Sequence, residues 1–504
     1  MSERIRWSTF LLSLAALFLG GCQQIPDDYP REPSAALPPA MESPVGERFQ
    51  EWFKREDGKS GFQRLGTGTE ALGARLALID AARSSIDMQY FLIKPDMAGS
   101  LFAEHLLQAA DRGVRIRFLL DDIFTTASDE QLAILDVHPN IEVRLFNPLN
   151  RGFNRWSSFF LHQGRYNRRM HNKSFTVDNV VTIVGGRNIA DEYYDIPEEM
   201  GFVDFDMIGV GPVAADVSAS FDDFWNSDLS YPLEVFLSPE EMEAVPEFKP
   251  MEEARFYYSR AVDSPILAEL KASDEALIPG QARVISDPPE KLQNRKDAGL
   301  DLLKTQLKEA LEGAEHEIQI ITPYFVPGKK GVEFLTGLRE RGIRVSVLTN
   351  SLASNNHAHV HGGYAHRREP LLKAGVRLYE VKYDSGPIND AGENLGLTLH
   401  VKMFLIDRKT IFFGSLNYDP RSLVLNSEMG VLLDSPRLAE AILATVEQAI
   451  PKYTYSVTLD EDEDLVWTYR GTDPPLVLDS EPDSSWWRRF QAYLARILPV
   501  EGQL

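Results

Sequence analysis

The feature that most constrains the fold of this chain of 504 residues is an internal repeat that carries one short motif twice. In each copy, His-x-Lys is followed by Asp after four intervening residues and by Gly after six more. The first copy covers residues 171–185 and the second covers residues 400–414. Each histidine also follows a glycine, Gly113 or Gly342, by the same interval of 58 positions. Two copies in register predict two homologous units.

Hydrophobic periodicity around the motifs predicts the same alternation of helices and strands in both halves. In the first half it predicts helices over residues 74–85 and 101–111 and strands over residues 86–91 and 114–120. In the second half it predicts helices over residues 302–311 and 332–341 and strands over residues 318–324 and 343–348. Strands that alternate with helices through short turns indicate an α/β fold with a mixed or largely parallel sheet.

The residues of the motif have the chemistry that phosphoryl transfer requires. Two positions apart on an extended segment, His and Lys point to the same face of the chain. A neutral imidazole can attack phosphorus, and an adjacent ammonium can hold the oxygens on which negative charge develops. A second copy adds an imidazole on the leaving-group side, where it has to be protonated. Two lysines and a histidinium supply the positive charge that a metal would bring, so neither a metal nor a cofactor is predicted.

The paired motif resembles that of the phospholipase D superfamily, and the resemblance covers roughly residues 65 to 456. Within that superfamily, the residues around the motifs are most similar to bacterial cardiolipin synthases. The similar segments are residues 167–178 (NRRMHNKSFTVD), 184–189 (VGGRNI), 361–364 (HGGY) and 370–376 (PLLKAGV). The resemblance implies two homologous lobes, each a mixed β-sheet flanked by helices, that are related by a pseudo-twofold axis and share one active site.

The resemblance also implies a role for each motif residue. The reaction is expected to pass through a phosphohistidine, and the usual order of the family makes His171 the nucleophile and His400 the general acid and then the base. Five polar residues are expected to bind phosphate oxygens, namely Lys173, Lys402, Asn188, Asn417 and Ser415. Gly186 stands where the second half has Ser415, so the first half lacks one hydroxyl donor.

Four carboxylates accompany the motifs. Asp178 and Asp407 complete the two catalytic motifs, where they are expected to brace the site more than to perform chemistry. Asp206 and Glu428 follow their histidines by 35 and 28 positions and are candidates to orient each ring through a carboxylate–imidazole hydrogen bond. The alternative for Asp206 and Glu428 is that of ordinary surface carboxylates.

Four histidines also lie close together in the second half. They are His357, His359, His361 and His366. Their irregular spacing leaves both a metal site and a substrate-binding loop open. No metal is therefore predicted from this cluster.

The amino terminus has the pattern of a secretory signal peptide: Arg4 and Arg6, an apolar run over residues 7–19, and then two glycines. Cys22 follows them and is the single cysteine of the chain, so an intrachain disulfide is excluded. Residues 19–22 (LGGC) resemble the lipobox of bacterial lipoproteins, which implies that Cys22 is lipidated. Gln23 follows this cysteine, and a residue other than Asp at that position resembles the signal that sorts such lipoproteins to the outer membrane. The expected location is the extracytoplasmic side of a bacterial cell envelope, and the alternatives are an ordinary signal peptide or an uncleaved anchor.

These observations divide the chain into six parts. They are a lipoprotein signal peptide (1–21), a lipidated cysteine with a flexible tether (22–64), a first lobe (65–245), a connection (246–281), a second lobe (282–456), and an acidic loop with an amphipathic helix (457–504). The tether is predicted from a proline-rich polar composition with little periodicity.

Two segments concentrate arginines and aromatic residues in a chain whose net charge is -23. Residues 151–169 suit an anionic lipid surface or headgroup, and the alternatives are a nucleic-acid strand and a partly buried loop. Residues 486–498 show an apolar stripe at helical spacing, for which docking on the body is favoured over a position in the membrane interface. The negative net charge is evidence against broad binding of nucleic acid.

Together these features predict a membrane-anchored phosphatidyltransferase of the cardiolipin synthase type. A phospholipid donor, for which phosphatidylethanolamine is a candidate, would give its phosphatidyl group to His171. A phosphatidylglycerol hydroxyl, deprotonated by His400, would then take that group to give cardiolipin. Water as the acceptor would make a phospholipase D that yields phosphatidic acid. The further alternatives are a phosphodiesterase acting on nucleic acid and a non-catalytic envelope lipoprotein.

Overall fold

The computed structural model describes residues 29–56, 58–151, 163–196, 201–265, 267, 268, 274–293, 298–386 and 394–497. The helices are α1 (Pro44–Arg55), α2 (Gly68–Ala81), α3 (Met97–Asp111), α4 (Asp129–Asp136), α5 (Gln163–Tyr166), α6 (Pro212–Trp225), α7 (Pro239–Glu243), α8 (Ala254–Val262), α9 (Leu302–Glu312), α10 (Gly328–Glu340), α11 (Ala358–Ala365), α12 (Arg368–Lys373), α13 (Pro436–Tyr453) and α14 (Trp486–Ile497). The strands are β1 (Ser60–Leu65), β2 (Ser85–Tyr90), β3 (Arg115–Asp121), β4 (Ile141–Phe146), β5 (Ser174–Val177), β6 (Val181–Gly185), β7 (Gly201–Val203), β8 (Asp206–Val210), β9 (Ser230–Pro232), β10 (Ile278–Ser286), β11 (Glu317–Ile321), β12 (Arg344–Asn350), β13 (Arg377–Val381), β14 (Leu397–Leu399), β15 (Met403–Ile406), β16 (Thr410–Gly414), β17 (Met429–Asp434), β18 (Thr454–Leu459), β19 (Leu465–Tyr469) and β20 (Leu476–Leu478).

One mixed sheet runs through both halves of the molecule. In the first half its strand order is β9-β4-β3-β2-β5-β6-β8-β1. In the second half it continues as β10-β17-β16-β15-β11-β12-β13-β18-β19-β20. The strands β2, β3 and β4 are mutually parallel, as are β11, β12 and β13, and the remaining pairs of this sheet are antiparallel. The halves join where Ser60 of β1 lies opposite Gly280 of β10.

This order confirms the predicted α/β class with two homologous lobes, because each strand of the first lobe in this sheet has a counterpart at the same place in the second, which adds β19 and β20 at its edge. The register gives a precise correspondence between the lobes. Gly185 lies opposite Asp206, and Gly414 lies opposite Gly430. Two positions earlier, Asp204 is therefore the counterpart of Glu428.

The two glycines of the repeat mark the same turn in both lobes. Gly113 has a φ of +89° and Gly342 a φ of +84°, in the left-handed region that favours glycine. Each follows a helix, α3 or α10, and leads the chain into a central strand, β3 or β12. The fixed interval between these glycines and the motif histidines thus reflects one repeated path of the backbone.

The lobes share part of their hydrophobic core. One buried cluster contains Phe62 and Val184 of the first lobe together with Leu399 and Phe413 of the second. The rings of Phe62 and Phe413 lie 6.3 Å apart in an edge-to-face arrangement. Because apolar surface of both lobes is buried in one cluster, the two lobes stabilise each other.

The prediction of a flexible tether over residues 22–64 is wrong for its described part. α1 and β1 lie within it, and β1 pairs with β8. Three arginines of the sheet donate to backbone carbonyls of the proline-rich stretch: Arg115 to Ala35, Arg117 to Ser34 and Arg144 to Glu32. Side chains satisfy this backbone instead of a helix or a ladder, which is why periodicity gave no sign of its order. Cys22 lies outside the described residues.

The two other predicted boundaries also shift. The connection predicted over residues 246–281 contains α8, and its last residues already belong to β10. The predicted acidic loop is a hairpin turn between β18 and β19, where Asp460 accepts hydrogen bonds from the N–H groups of Asp462 and Asp464. The C-terminal helix forms as α14. None of the described helices combines the length and the apolar composition that crossing a bilayer requires.

Candidate active site

The two motif histidines lie where the lobes meet, and the backbone of the opposite lobe holds each of them. The N–H of His171 donates to the carbonyl of Ser427 at 3.0 Å. The N–H of His400 donates to the carbonyl of Val203 at 2.7 Å, next to the parallel pair of β14 and β7. The second contact repeats the first with the lobes exchanged, as a pseudo-twofold axis requires.

Each imidazole is also held by a carboxylate of the opposite lobe. His171 Nδ1 lies 2.8 Å from Glu428 Oε2, and His400 Nδ1 lies 2.6 Å from Asp204 Oδ2. An ionised carboxylate can only accept a hydrogen bond, so each ring carries its proton on Nδ1. The unprotonated Nε2 of each histidine is thereby left for a substrate. Glu428 therefore contacts a motif histidine as predicted, but the ring is that of His171 in the opposite lobe and not that of His400, which it follows in the sequence.

The prediction for Asp206 is wrong, because this carboxylate does not contact a histidine ring. Its Oδ2 pairs with Arg75 at 2.9 Å and with Arg187 at 3.3 Å, and all three side chains are buried. The sequence Asp-Phe-Asp offers two carboxylates, Asp204 and Asp206, and the sheet register shows that Asp204 matches Glu428. Spacing along the chain hid this match, since Asp204 follows Gly185 by 19 positions and Glu428 follows Gly414 by 14.

A second pair of equivalent residues holds the backbone just before each histidine. Asp121 Oδ2 accepts a hydrogen bond from the N–H of Met170 at 2.9 Å. Asn350 Oδ1 accepts one from the N–H of Leu399 at 2.9 Å, and its Nδ2 donates back to the Leu399 carbonyl. Asp121 and Asn350 each end a central strand, eight positions after the turn glycine of their lobe. That shared offset from the turn glycines is the signal in the sequence by which these two residues can be recognised as equivalent.

Aromatic rings enclose both imidazoles. The Phe91 ring meets the His171 ring edge to face at 4.8 Å, and the ammonium of Lys173 lies 5.3 Å from the same phenyl ring. His400 stacks on Phe202 at 5.1 Å and meets Tyr193 edge to face at 5.2 Å. These rings restrict water around the two histidines and fix the planes of their imidazoles.

Burial keeps both imidazoles neutral. It lowers the pKa of His171 to about 4, although the charge of Glu428 partly offsets the effect. Burial and the nearby Lys402 lower the pKa of His400 to about 3. Burial alone would raise the pKa of Glu428 and of Asp204, but the paired histidine and the nearby lysines together lower both pKa values below their ordinary range, so both carboxyl groups stay ionised. The site therefore pairs two neutral rings with two carboxylates.

The two lysines are unusually easy to deprotonate. Burial lowers the pKa of Lys173 to about 7 and that of Lys402 to about 8, and Lys402 lowers the pKa of Lys173 further. Each ammonium donates to the backbone carbonyl of its own motif histidine, Lys173 to His171 at 2.7 Å and Lys402 to His400 at 2.5 Å. Two buried cations that repel each other favour an anion between them.

The amides predicted to bind phosphate are buried beside the motifs. Asn188 Nδ2 donates to the Tyr193 hydroxyl at 2.9 Å. Among the described residues, Oδ1 of Asn188 and Oδ1 of Asn417 have no hydrogen-bond partner. Rotation of either amide by half a turn would present N–H donors instead. Their phosphate-binding role stays a prediction, and a ligand would complete their hydrogen bonding.

Ser415 has a different partner from the predicted one. Its hydroxyl donates to Glu428 Oε2 at 2.5 Å and accepts from the N–H of Met429 at 3.0 Å. The Ser415 hydroxyl has one proton and donates it to Glu428, the carboxylate that orients His171. In this arrangement Ser415 has no proton to donate to a phosphate oxygen. In the first lobe the same space beside Gly186 is filled by Asp204.

The motif aspartates lie at hairpin turns. Asp178 and Asp407 have φ values of +53° and +51° and begin the turns between β5 and β6 and between β15 and β16. Asp178 accepts from the N–H groups of residues 83–85, and Asp407 from those of residues 315–317. Both carboxylates tie the motif hairpin to the start of a central strand, so they brace the site.

The described arginines of residues 151–169 point into the protein. Arg151 pairs with Asp122 and Asp129, and Arg169 pairs with Asp121 at 2.7 Å. Arg168 donates to backbone carbonyls of residues 291 and 292. For these three residues the prediction of a lipid-facing surface is wrong, since their charges are used internally. Residues 152–162, and the side chain of Arg165, lie outside the described part.

The four clustered histidines do not converge on one point. The His357 ring lies 5.7 Å from Tyr324 and 5.5 Å from His359. His361 Nε2 lies 2.7 Å from the guanidinium of Arg368. In the described part of the chain, no three or more His, Cys, Asp or Glu side chains are grouped to hold a metal ion.

Comparison with known proteins identifies the family to which this arrangement belongs. A family model described as "Cardiolipin synthase, PLD-like domain" matches residues 76–225 and 307–450. Cardiolipin synthase C of Escherichia coli (strain K12) is 39% identical over 486 residues, which are 94% of this chain and 100% of that protein. Cardiolipin synthase A of Pseudomonas putida (strain F1) is 24% identical, over 79% of this chain and 70% of that protein.

The crystal structure of phosphatidylserine synthase from Haemophilus influenzae Rd KW20 has the same fold, with a TM-score of 0.55 and 15% sequence identity. It covers 81% of this chain and 92% of its own. Two lobes, a paired histidine motif and one site between them define a protein of the phospholipase D superfamily. Within it, the chain belongs to the family of cardiolipin synthases with phospholipase D-like domains, which are enzymes. The resemblance predicted from the two motifs is thus confirmed.

Proposed function

We propose that this protein is a phosphatidyltransferase of the cardiolipin synthase type that works through a phosphohistidine. The observation that carries the proposal is the crossed pairing of His171 with Glu428 and of His400 with Asp204. It presents two unprotonated Nε2 atoms from two lobes to one site. A displacement at phosphorus needs such groups on opposite sides, one to attack and one to serve the departing or entering oxygen.

In the first half-reaction, His171 Nε2 attacks the phosphorus of a phospholipid. A P–N bond forms, and the P–O bond to the leaving alcohol breaks. His400, protonated on Nε2, gives that proton to the leaving oxygen. Glu428 accepts from Nδ1 of His171 and stabilises the positive charge that this ring acquires. Lys173 and Lys402 stabilise the charge on the phosphate oxygens.

The protonated state of His400 depends on the substrate. In the ligand-free protein burial lowers the pKa of His400 to about 3, so this ring is neutral. A phosphodiester brings one negative charge into the site, which raises the pKa of every base around it. In the second half-reaction, neutral His400 takes the proton of an acceptor hydroxyl while its oxygen attacks phosphorus and the P–N bond breaks.

The acceptor decides the product. Phosphatidylglycerol as the acceptor yields cardiolipin, and phosphatidylethanolamine is a candidate donor. The aromatic rings around both imidazoles favour transfer over hydrolysis, because they limit the access of water. The homology to Cardiolipin synthase C supports the same choice. Phosphatidic acid would be formed if water were the acceptor.

For location, we propose that Cys22 is lipidated and holds the protein on the extracytoplasmic side of a bacterial envelope membrane. The sequence of residues 19–23 supports this proposal. Two or more acyl chains are enough to hold a protein on a membrane durably. The test is mass spectrometry of the mature amino terminus, with Cys22→Ala as the comparison.

The activity is tested by incubating the purified chain with labelled phosphatidylglycerol, with and without phosphatidylethanolamine. His171→Ala and His400→Ala are expected to lose cardiolipin formation, the first because no phosphohistidine can form and the second because the leaving oxygen receives no proton and the acceptor hydroxyl loses its base. His138→Ala is the matched control, since His138 pairs with Asp111 away from the site. Unchanged cardiolipin in either motif variant would contradict the mechanism. Phosphatidic acid as the sole product would indicate hydrolysis.

A further inference from the structure

One face of the C-terminal helix α14 docks on the second lobe. Arg488 donates to the carbonyl of Leu352 at 3.2 Å and to that of Asn355. Ala492, one helical turn later on the same face, packs in a buried cluster with Leu352 and Ala358. The helix is thus fixed to the body through a polar contact and a small apolar contact.

The opposite face of α14 carries an aromatic cluster, which we define as Trp486, Trp487, Phe490 and Tyr493. These side chains are 74%, 56%, 37% and 58% exposed. The rings of Trp486 and Phe490 stack at 5.5 Å, and those of Trp487 and Phe490 stack at 5.6 Å. The helix therefore docks through the side opposite the described part of the predicted apolar stripe, whose members Trp486, Phe490 and Tyr493 face outward. A contiguous exposed aromatic patch of this kind marks an interaction surface.

The charge around the aromatic cluster indicates what it binds. Residues 486–497 contain three arginines and no acidic residue, in a chain of net charge -23. Arg489 is exposed beside the cluster. Trp and Tyr favour the boundary between water and hydrocarbon, and Arg is attracted to anionic lipid headgroups. An anionic phospholipid bilayer supplies both a water–hydrocarbon boundary for the aromatic rings and negative charge for the arginines, which favours such a surface as the occupant.

The helix is connected to the catalytic site through the loop of residues 351–357. Both carbonyls that Arg488 binds belong to this loop. Ser354 of the loop donates to Asn350 Oδ1 at 3.1 Å, and Asn350 clamps the residue before His400. The position of α14 therefore bears on the edge of the site that His400 occupies.

We propose that the aromatic cluster of α14 is a membrane-docking surface that enters the headgroup region of an anionic bilayer and holds the loop of residues 351–357 at the lipid. The proposal rests on the proposed function in that it takes a phospholipid as the substrate. A lipid on Cys22 would keep the protein near the membrane, whereas α14 would orient the active site towards it.

The test uses the full chain reconstituted in vesicles of phosphatidylethanolamine and phosphatidylglycerol with brominated acyl chains. Bromine quenches tryptophan fluorescence only at close range, so the signal reports on the helix and not on an anchor. We expect quenching in the wild type that is largely lost in Trp486→Phe/Trp487→Phe. This measurement needs no turnover, so it stands even if the proposed activity fails.

A kinetic arm uses Trp486→Ser/Trp487→Ser, in which two exposed rings are removed. The KM for vesicle lipid is expected to rise at least about tenfold, since each buried aromatic ring contributes on the order of one tenfold step in affinity. The kcat on a monomeric short-chain phospholipid should stay unchanged. Phe256→Ser is the matched control, because Phe256 on α8 is 60% exposed outside the cluster. Equal quenching in wild type and variant, or self-association in place of quenching, would overturn the proposal.

Discussion

The carboxylate of Asp204 lies directly against the backbone of Gly186. A Cβ placed on Gly186 would be 2.3 Å from Asp204 Oδ1 and 2.7 Å from Oδ2. In the second lobe the equivalent position is Ser415, whose hydroxyl donates to Glu428. The two lobes thus orient their histidines with different pairs, a glycine with the shorter carboxylate and a serine with the longer one.

Gly186→Ala is expected to lower kcat by about 10²–10⁴-fold, because the added methyl displaces Asp204 and frees the His400 ring to take the wrong tautomer. Steady-state kinetics on mixed lipid vesicles measure the effect. Gly337→Ala is the matched control, since a Cβ at Gly337 meets nothing within 4 Å. Wild-type kcat in Gly186→Ala would contradict the role of this contact.

Asp204→Asn and Glu428→Gln test the crossed carboxylates. Each amide keeps the shape of the side chain but does not stabilise an imidazolium, so kcat is expected to fall about 10²–10⁴-fold with little change in KM. Asp206→Asn provides the contrast, because Asp206 pairs with Arg75 and Arg187. That variant should lose stability in thermal denaturation while the folded fraction keeps its kcat. A fall in kcat for Asp206→Asn alone would reverse the assignment.

The sequence predicted correctly those strands and turns that recur with the same spacing in both lobes. The interval from Lys173 to Asp178 spans β5, and the turn glycines Gly113 and Gly342 end helices of the same kind, so spacing along the chain matches position in space. Asp204 was missed because the segment between Gly185 and Asp204 is longer than its counterpart in the second lobe. Where loops differ in length, the hydrogen-bond register identifies equivalent residues and counting does not.

The second kind of wrong prediction concerned polar segments. Composition predicts a flexible tether for the part of the chain that includes residues 29–40, and a lipid-facing surface for the segment that contains Arg151, Arg168 and Arg169. In the fold, backbone carbonyls of residues 32–35 accept hydrogen bonds from arginines of the sheet. Arg168 donates to backbone carbonyls, and Arg151 and Arg169 pair with aspartates, as Arg169 does with the buried Asp121. Composition reports which groups need partners but not where those partners lie, so long-range pairs of this kind require the three-dimensional arrangement.

Asp121 and Asn350, which hold the backbone just before each motif histidine, are expected to differ in their contribution to stability. Asp121 and Arg169 are both fully buried, so Asp121→Ala leaves a guanidinium without its partner and is expected to cost about 3–5 kcal/mol. Asn350→Ala removes hydrogen bonds to Leu399, Ser354 and Pro323, all of them between neutral groups, and should cost about 1–3 kcal/mol. Urea denaturation monitored by circular dichroism measures both. An equal loss of unfolding free energy in the two variants would contradict the expectation that the charged Asp121 contributes more to stability than the neutral Asn350.

Binding of a phosphate diester is expected to change the protonation of Lys173 and Lys402. With the site empty, the pKa of Lys173 is about 7 and that of Lys402 about 8, so at pH 8 Lys173 is mostly neutral. Dimethyl phosphate, which keeps one negative charge over the range used, should raise the pKa of both lysines on binding. The complex therefore takes up protons at pH 8, and this uptake shrinks towards pH 6, where both lysines are already charged. By linkage, affinity falls as pH rises from 7 to 9.

Isothermal titration calorimetry in buffers of different ionisation enthalpy measures this uptake as the slope of the apparent heat. Lys173→Gln/Lys402→Gln removes both lysines, so its slope at pH 8 should be clearly smaller than that of the wild type and its affinity should weaken. The motif histidines are neutral in the empty site, where their pKa values are about 4 and about 3, and any proton that a bound phosphate adds to His400 is common to both proteins. The difference between the two slopes therefore reports the lysines. A wild-type slope of zero at pH 8 would show that both lysines are already charged in the empty site. The site would then hold its phosphate with preformed cations, and the repulsion between Lys173 and Lys402 would have to be balanced by Glu428 and Asp204 alone.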